Sequence, residues 1–173
     1  MTRQTSSSNG STGTRRRVDP QRLRRTVGRL PCQGRILLVD DDRHDLDAIR
    51  LKLGIVLGPG VEVLGARTVR KALDIFATHK GQFDLLLLNY MLKPQGTGIE
   101  LLGALQDYPR PYASKAVLYS GRMDAALART AAEAGFNAAV ATDELDSMSA
   151  MSELLWRLVK PDIDWSASWR GLP

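Results

Sequence analysis

Two apolar runs in this chain end in side chains capable of polar chemistry. Ile36-Leu37-Leu38-Val39 leads into Asp40-Asp41-Asp42, and Leu85-Leu86-Leu87-Leu88 ends at Asn89. Short runs with no polar alternation are what strands buried on both faces require. Open α/β sheets place their ligand chemistry at strand C-terminal ends. Three adjacent carboxylates there can hold a cation, or they can cap the next helix and complement the positive end of its dipole. Asn89 offers something else. Its nitrogen lone pair is delocalised into the carbonyl and its oxygen is neutral, so it supplies hydrogen bonds and no anionic nucleophile. His44 and His79 have no partner at a spacing that suggests a metal site or a triad, and the single cysteine, Cys32, has no matching histidine pattern.

The elements that must position these residues follow from periodicity. Strand-like runs are expected at residues 35–39, 61–66, 83–88, 115–120 and 137–142. Between and after them, residues 45–57, 69–79, 98–108, 124–134 and 147–158 carry apolar side chains near helical spacing, with Leu101, Leu102 and Leu105 sharing one face. Five βα units in tandem predict a doubly wound α/β fold, a parallel sheet with helices on both faces, because right-handed crossovers must cover it.

A chain of 173 residues with 43% hydrophobic content can bury one ordinary core. We therefore expect a basic, largely disordered arm over residues 1–33, one domain over 34–160, and a tryptophan-containing tail over 161–173, with no room for a separate output domain. No apolar run reaches the roughly 18 residues needed to span a bilayer, and one cysteine forms no internal disulfide. The expectation is a soluble, cytoplasmic protein. The net charge of +5 is unevenly divided: eight arginines and one acid give residues 1–34 a charge of +7, which leaves 5 − 7 = −2 for the remainder. Such an arm is a solvated tail, an element that binds acidic partners such as nucleic acid or an anionic membrane, or an organellar presequence. It contains no aromatic residue for base stacking. In the tail, Trp165 and Trp169 lie in a stretch too polar to fold alone, so they are candidates to dock on a partner or back on their own domain.

Over about residues 34–159 these motifs resemble the receiver domains of two-component response regulators. The resemblance rests on Arg35–Asp42, on the stretch from Phe83 through Gly96-Thr97-Gly98 to Leu102, on Val117-Leu118-Tyr119-Ser120-Gly121, and on Ala134-Gly135-Phe136-Asn137-Ala138. It implies a five-stranded sheet of order 2-1-3-4-5. It also implies that Asp40 and Asp41 stand where the family holds Mg²⁺, that Asn89 replaces the phosphoryl-accepting aspartate, and that Ser120 holds the fourth-strand hydroxyl position. The family's fifth-strand lysine falls at Thr142 and its switch aromatic at Ala139.

These departures change the chemistry. Phosphoryl transfer needs an anionic oxygen as nucleophile and a metal to neutralise the transferring oxygens. Losing one of three carboxylates removes metal attraction on the order of 4 kcal/mol at about 4 Å and an effective dielectric near 20. Asp40, Asp41, the Asn89 oxygen and the Met91 carbonyl define an oxygen-lined Mg²⁺ or Ca²⁺ site that is weak or absent. Gly98 falls one residue beyond the family's usual glycine, which bears against Met91 as a ligand. Thr142 supplies one neutral hydrogen bond and no charge.

The expectation is a non-enzymatic pseudo-receiver with no cofactor beyond weakly held Mg²⁺. It would bind a regulatory protein, such as a kinase or another receiver, through the fourth helix, fifth strand and fifth helix at residues 124–158. The same surface could support a homodimer. Two alternatives stand beside it: a residual response regulator phosphorylated at Asp41 or Asp42, and an adaptor that binds nucleic acid through the arm.

Overall fold

The computed structural model describes residues 34–94, 96–108 and 115–159. The arm, Trp165 and Trp169 lie outside the described residues. Chain order is β1 (Gly34–Val39), α1 (Arg43–Leu57), β2 (Val61–Ala66), α2 (Val69–Thr78), β3 (Leu85–Asn89), β4 (Met91–Leu92), β5 (Gly96–Thr97), α3 (Gly98–Gln106), β6 (Lys115–Ser120), α4 (Ala125–Glu133), β7 (Ala138–Ala141), α5 (Thr142–Asp146) and α6 (Met148–Val159). The main sheet is parallel with order β2-β1-β3-β6-β7, the 2-1-3-4-5 arrangement expected from the resemblance. Among the described residues, no helix is long and apolar enough to cross a membrane.

Strand alternation builds two cores. Ile36, Leu38, Leu85, Leu87, Val117 and Tyr119 pack with Leu46, Ile49 and Leu53 of α1 and with Met151, Leu154 and Leu155 of α6. The intervening residues Leu37, Val39, Leu86, Leu88 and Leu118 face α2, α3 and α4 through Phe76, Leu101, Leu102 and Ala131. Both faces of β1 and β3 are therefore covered, which explains their uninterrupted apolar runs. The period of two also sets Asp40 and Asn89 on the same side as Leu38, Leu87 and Tyr119.

Three features differ from the expected elements. The fifth sheet strand is shorter than residues 137–142 because Asn137 and Thr142 have other partners. Asn137 accepts the Ala116 amide through its side chain at 2.8 Å and donates its own amide to Ala116 O at 2.8 Å. Thr142 opens the short helix α5, whose Glu144 carboxylate accepts the Ala141 amide at 3.1 Å. After β3 the chain forms the antiparallel pair β4–β5, with Met91 opposite Thr97 and Leu92 opposite Gly96, where the sequence suggested only a loop. This hairpin takes up the extra residue before Gly98.

Thr97 and Glu100 then form a reciprocal capping box that starts α3: the Glu100 amide donates to Thr97 Oγ1 at 3.2 Å, and the Thr97 amide donates to Glu100 Oε2 at 2.8 Å. Gly98 sits here against the end of β3, and a Cβ would collide with the Asn89 carbonyl and approach Leu118 Cδ1 to 3.0 Å. Gly98→Ala should destabilise the fold by about 1–3 kcal/mol in urea unfolding, as overpacking against backbone does. Gly103→Ala, in the same helix with nothing within 4 Å of the added carbon, should instead stabilise by about 0.5–1 kcal/mol. Equal effects of the two substitutions would contradict the close approach of α3 to β3.

Candidate functional site

Ladder register brings the polar strand ends together. Val39 is level with Leu88, and Asn89 pairs with Tyr119, so Asp40, Asn89 and Tyr119 end three adjacent strands at one edge of the sheet. Asp40 is fully buried and its carboxylate is surrounded by donors. Asn89 Nδ2 donates to Oδ1 at 3.1 Å, the Asp42 amide donates to the same oxygen at 2.9 Å, and the Tyr119 hydroxyl donates to Oδ2 at 2.6 Å. Asn89 Nδ2 also lies 3.5 Å from Asp41 Oδ1. The nitrogen rather than the oxygen of Asn89 is assigned to face the acids because its oxygen would meet two carboxylates with no donor between them.

Tyr119 is the site residue that the sequence reading quoted without giving it a role. Its ring belongs to the core beneath α1 and α6, and its phenol passes under β3 to reach the end of β1. The available signal was parity. Residue 119 shares its face with Val117 and, through the register, with Asn89 and Asp40. Burial, reinforced by the charge of Asp40, holds the Tyr119 phenol well above its ordinary pKa, so it stays a neutral donor. Burial also raises Asp40, and the hydrogen bonds from Tyr119, Asp42 and Asn89 oppose that rise.

The remaining candidates divide between structural tasks and the solvent edge. Asp42 caps α1, accepting the His44 amide at 2.7 Å and the Asp45 amide at 3.3 Å, and these bonds hold its carboxyl below the usual range. Arg67, just past β2, donates to the Asp41 carbonyl at 3.1 Å and adds a positive field beside the acids. Ser120 is buried, and its hydroxyl accepts the Arg122 amide at 3.2 Å. Met91 lies in the hairpin with 44% of its surface exposed. Ala139 packs at the edge of the α2–α3–α4 core, and Thr142 is half-buried at the start of α5. Neither contacts Asp40 or Asn89 through a hydrogen bond.

The donor set around Asp40 competes with a divalent cation. A Mg²⁺ or Ca²⁺ ion needs converging oxygens, and here it would compete with the three donors on Asp40 and require Asn89 to turn its oxygen rather than its N–H groups toward the acids. Among the described residues, no three His, Cys, Asp or Glu side chains are gathered as a metal site. What the arrangement does is hold one buried carboxylate with neutral donors.

No protein-family model matches the sequence, and no curated protein matches it. Solved structures do. A response-regulator receiver domain from Clostridium thermocellum shares 21% identity at a TM-score of 0.61, covering 73% of this chain and 94% of that one. A receiver domain protein from Methanospirillum hungatei shares 25% identity at a TM-score of 0.57, covering 72% of this chain and 93% of that one. A Burkholderia pseudomallei response regulator, solved with a phosphorylated aspartic acid and a calcium ion, shares 17% identity at a TM-score of 0.62, covering 80% and 73% of the two chains. With the strand order and the two helical layers already established, these likenesses give residues 34–159 the fold of a two-component response-regulator receiver domain.

Proposed function

We propose that this chain is a receiver-like signalling protein that takes no phosphoryl group at the family's acceptor position and works by binding another regulatory protein. The observation carrying this reading is the hydrogen bond from Asn89 Nδ2 to Asp40 Oδ1. The side chain at the acceptor position is used as a donor that ties β3 to β1, and an amide has no anionic oxygen with which to attack phosphorus. The Tyr119 phenol supports the same conclusion. It balances Asp40 by a neutral hydrogen bond, and Thr142, where the resemblance places the family's lysine, adds no charge.

Binding then falls to surfaces that need no chemical signal. Residues 124–158, comprising α4, β7, α5 and α6, form the proposed partner face, with a kinase or another receiver as the class of partner. Ala139 gives this face no aromatic side chain to turn in or out, so the surface is constitutive. The protein is a binding module without resident metal.

Three measurements test this reading. Incubation with Mg²⁺ and a small acyl-phosphate donor should leave the intact mass unchanged, and a stoichiometric gain of one phosphate would overturn the proposal. Asn89→Asp replaces a donor by a third carboxylate. The variant should be destabilised in chelator, by up to the order of 4 kcal/mol for like charges about 4 Å apart at an effective dielectric near 20, and should recover on Mg²⁺ titration. Unchanged stability with and without Mg²⁺ would mean that the acids do not converge on residue 89.

Tyr119→Phe tests the phenol through pH. Because burial raises Asp40 above its ordinary 3.8, the stability contributed by its neutral form is fully present below that value and is lost as pH rises through the folded pKa. Removing the Tyr119 hydrogen bond raises Asp40 further, so the variant pays an additional cost only where Asp40 ionises. Urea unfolding should show a loss of about 1.5–3 kcal/mol at pH 7, for a bond to a charged group, and a smaller loss near pH 4. Equal losses at both pH values would separate Tyr119 from the carboxylate.

A further inference from the structure

The outer face of α1 carries one apolar row among charged residues. Leu51 is 66% exposed and Ile55 53% exposed, one helical turn apart, and Ala48 completes the row at i−3. These residues lie opposite Leu46, Ile49 and Leu53, which face the sheet. Helix α6 packs beside α1, and Leu158 in its last turn shares a core with Leu53, Val56 and Leu57. The chain thus leaves α6 next to the C-terminal end of the exposed row.

The segment that follows has a matching pattern. From residue 162 it reads Asp-Ile-Asp-Trp-Ser-Ala-Ser-Trp-Arg, with Ile163, Trp165, Ala167 and Trp169 alternating with polar residues. In an extended conformation this alternation puts all the apolar side chains on one face. We propose that this tail runs extended along the outer face of α1 from its C-terminal end, seating Trp165 at Ile55, Ala167 against Leu51 and Trp169 over Ala48.

Size and length fit that seating. Trp165 to Trp169 spans about 13 Å when extended, and Ala48 to Ile55 spans about 10.5 Å along a helix. The small Ala167 falls opposite the large Leu51, and the large Trp169 falls opposite the small Ala48. Residues 160–164 supply about 17 Å of reach. Stepping from one packed helix to its neighbour takes about 8–10 Å, and rising to the outer face takes half a helix diameter, about 5–6 Å. The N-terminal arm fits less well. Its apolar residues Leu23, Val27 and Leu30 recur at helical spacing among arginines rather than in the alternation that an extended seat on this row requires.

Nuclear Overhauser contacts in the full-length protein test the seating, with the tail indoles assigned by Trp165→Phe and Trp169→Phe. Contacts from the two rings to Leu51 and Ile55 methyl groups are expected within one molecule. Their absence would overturn the proposal. So would their appearance only between differently labelled molecules, which would make the occupant a second copy. So too would contacts to these methyls from arm residues instead. The double variant Leu51→Ser/Ile55→Ser, changed at exposed positions and folded by circular dichroism, should red-shift tryptophan emission and raise its quenching by acrylamide. Unchanged emission and quenching would equally reject the seating.

Discussion

One buried charge organises the end of this sheet. Asp40 has no exposed surface, and a carboxylate in that position is tolerated only when donors replace the water it has lost. The three donors come from separate parts of the chain: the amide two residues on, the end of β3 and the core of β6. Each bond therefore also closes a tertiary contact, and together they lock the C-terminal ends of β1, β3 and β6 in one register. Glycine at position 98 belongs to the same constraint. Helix α3 can approach the backbone carbonyl of Asn89 only because no Cβ intervenes.

A receiver that accepts phosphate keeps its site in a different electrostatic condition. Clustered carboxylates repel one another and stay available for a cation and an incoming phosphoryl group. Here the repulsion has been relieved internally. An amide replaces one carboxylate, a phenol reaches another, Asp42 is spent on the N-terminus of α1, and Arg67 adds a fixed positive charge. Relieved repulsion stabilises the fold without requiring a metal ion.

Much of this fold was legible in the sequence because it depends on burial pattern. β1 and β3 are covered on both faces, and their leucine and valine runs announce it. The helices announce themselves through apolar spacing, and the acids at 40–42 through their capacity to cap α1, which Asp42 does. Reading failed where one side chain decides the local structure. Asn137 and Thr142 look compatible with a strand, yet Asn137 bonds sideways to Ala116, and Glu144 turns the chain into α5 at Thr142. The β4–β5 hairpin was hidden because two-residue strands have no periodicity to detect. At the site, Asp40 and Asn89 were found from their place at strand ends. Tyr119 was not, because an aromatic residue in a buried strand is most often only core. Its role depends on the register between β3 and β6, which local pattern does not fix.

The same reasoning bears on where specificity resides. Side chains that would transmit a phosphoryl signal must move, and movement needs an empty space or a charge that appears and disappears. Ser120 is held by its own turn, Ala139 has no ring to rotate, and Asp40 is bonded on both oxygens. On the proposed reading, a surface over α4, β7 and α6 supported by such a core would offer one conformation, and a partner's affinity for it would be set by fit rather than by state. Covering α1 with the tryptophan tail would leave that surface as the exposed recognition face.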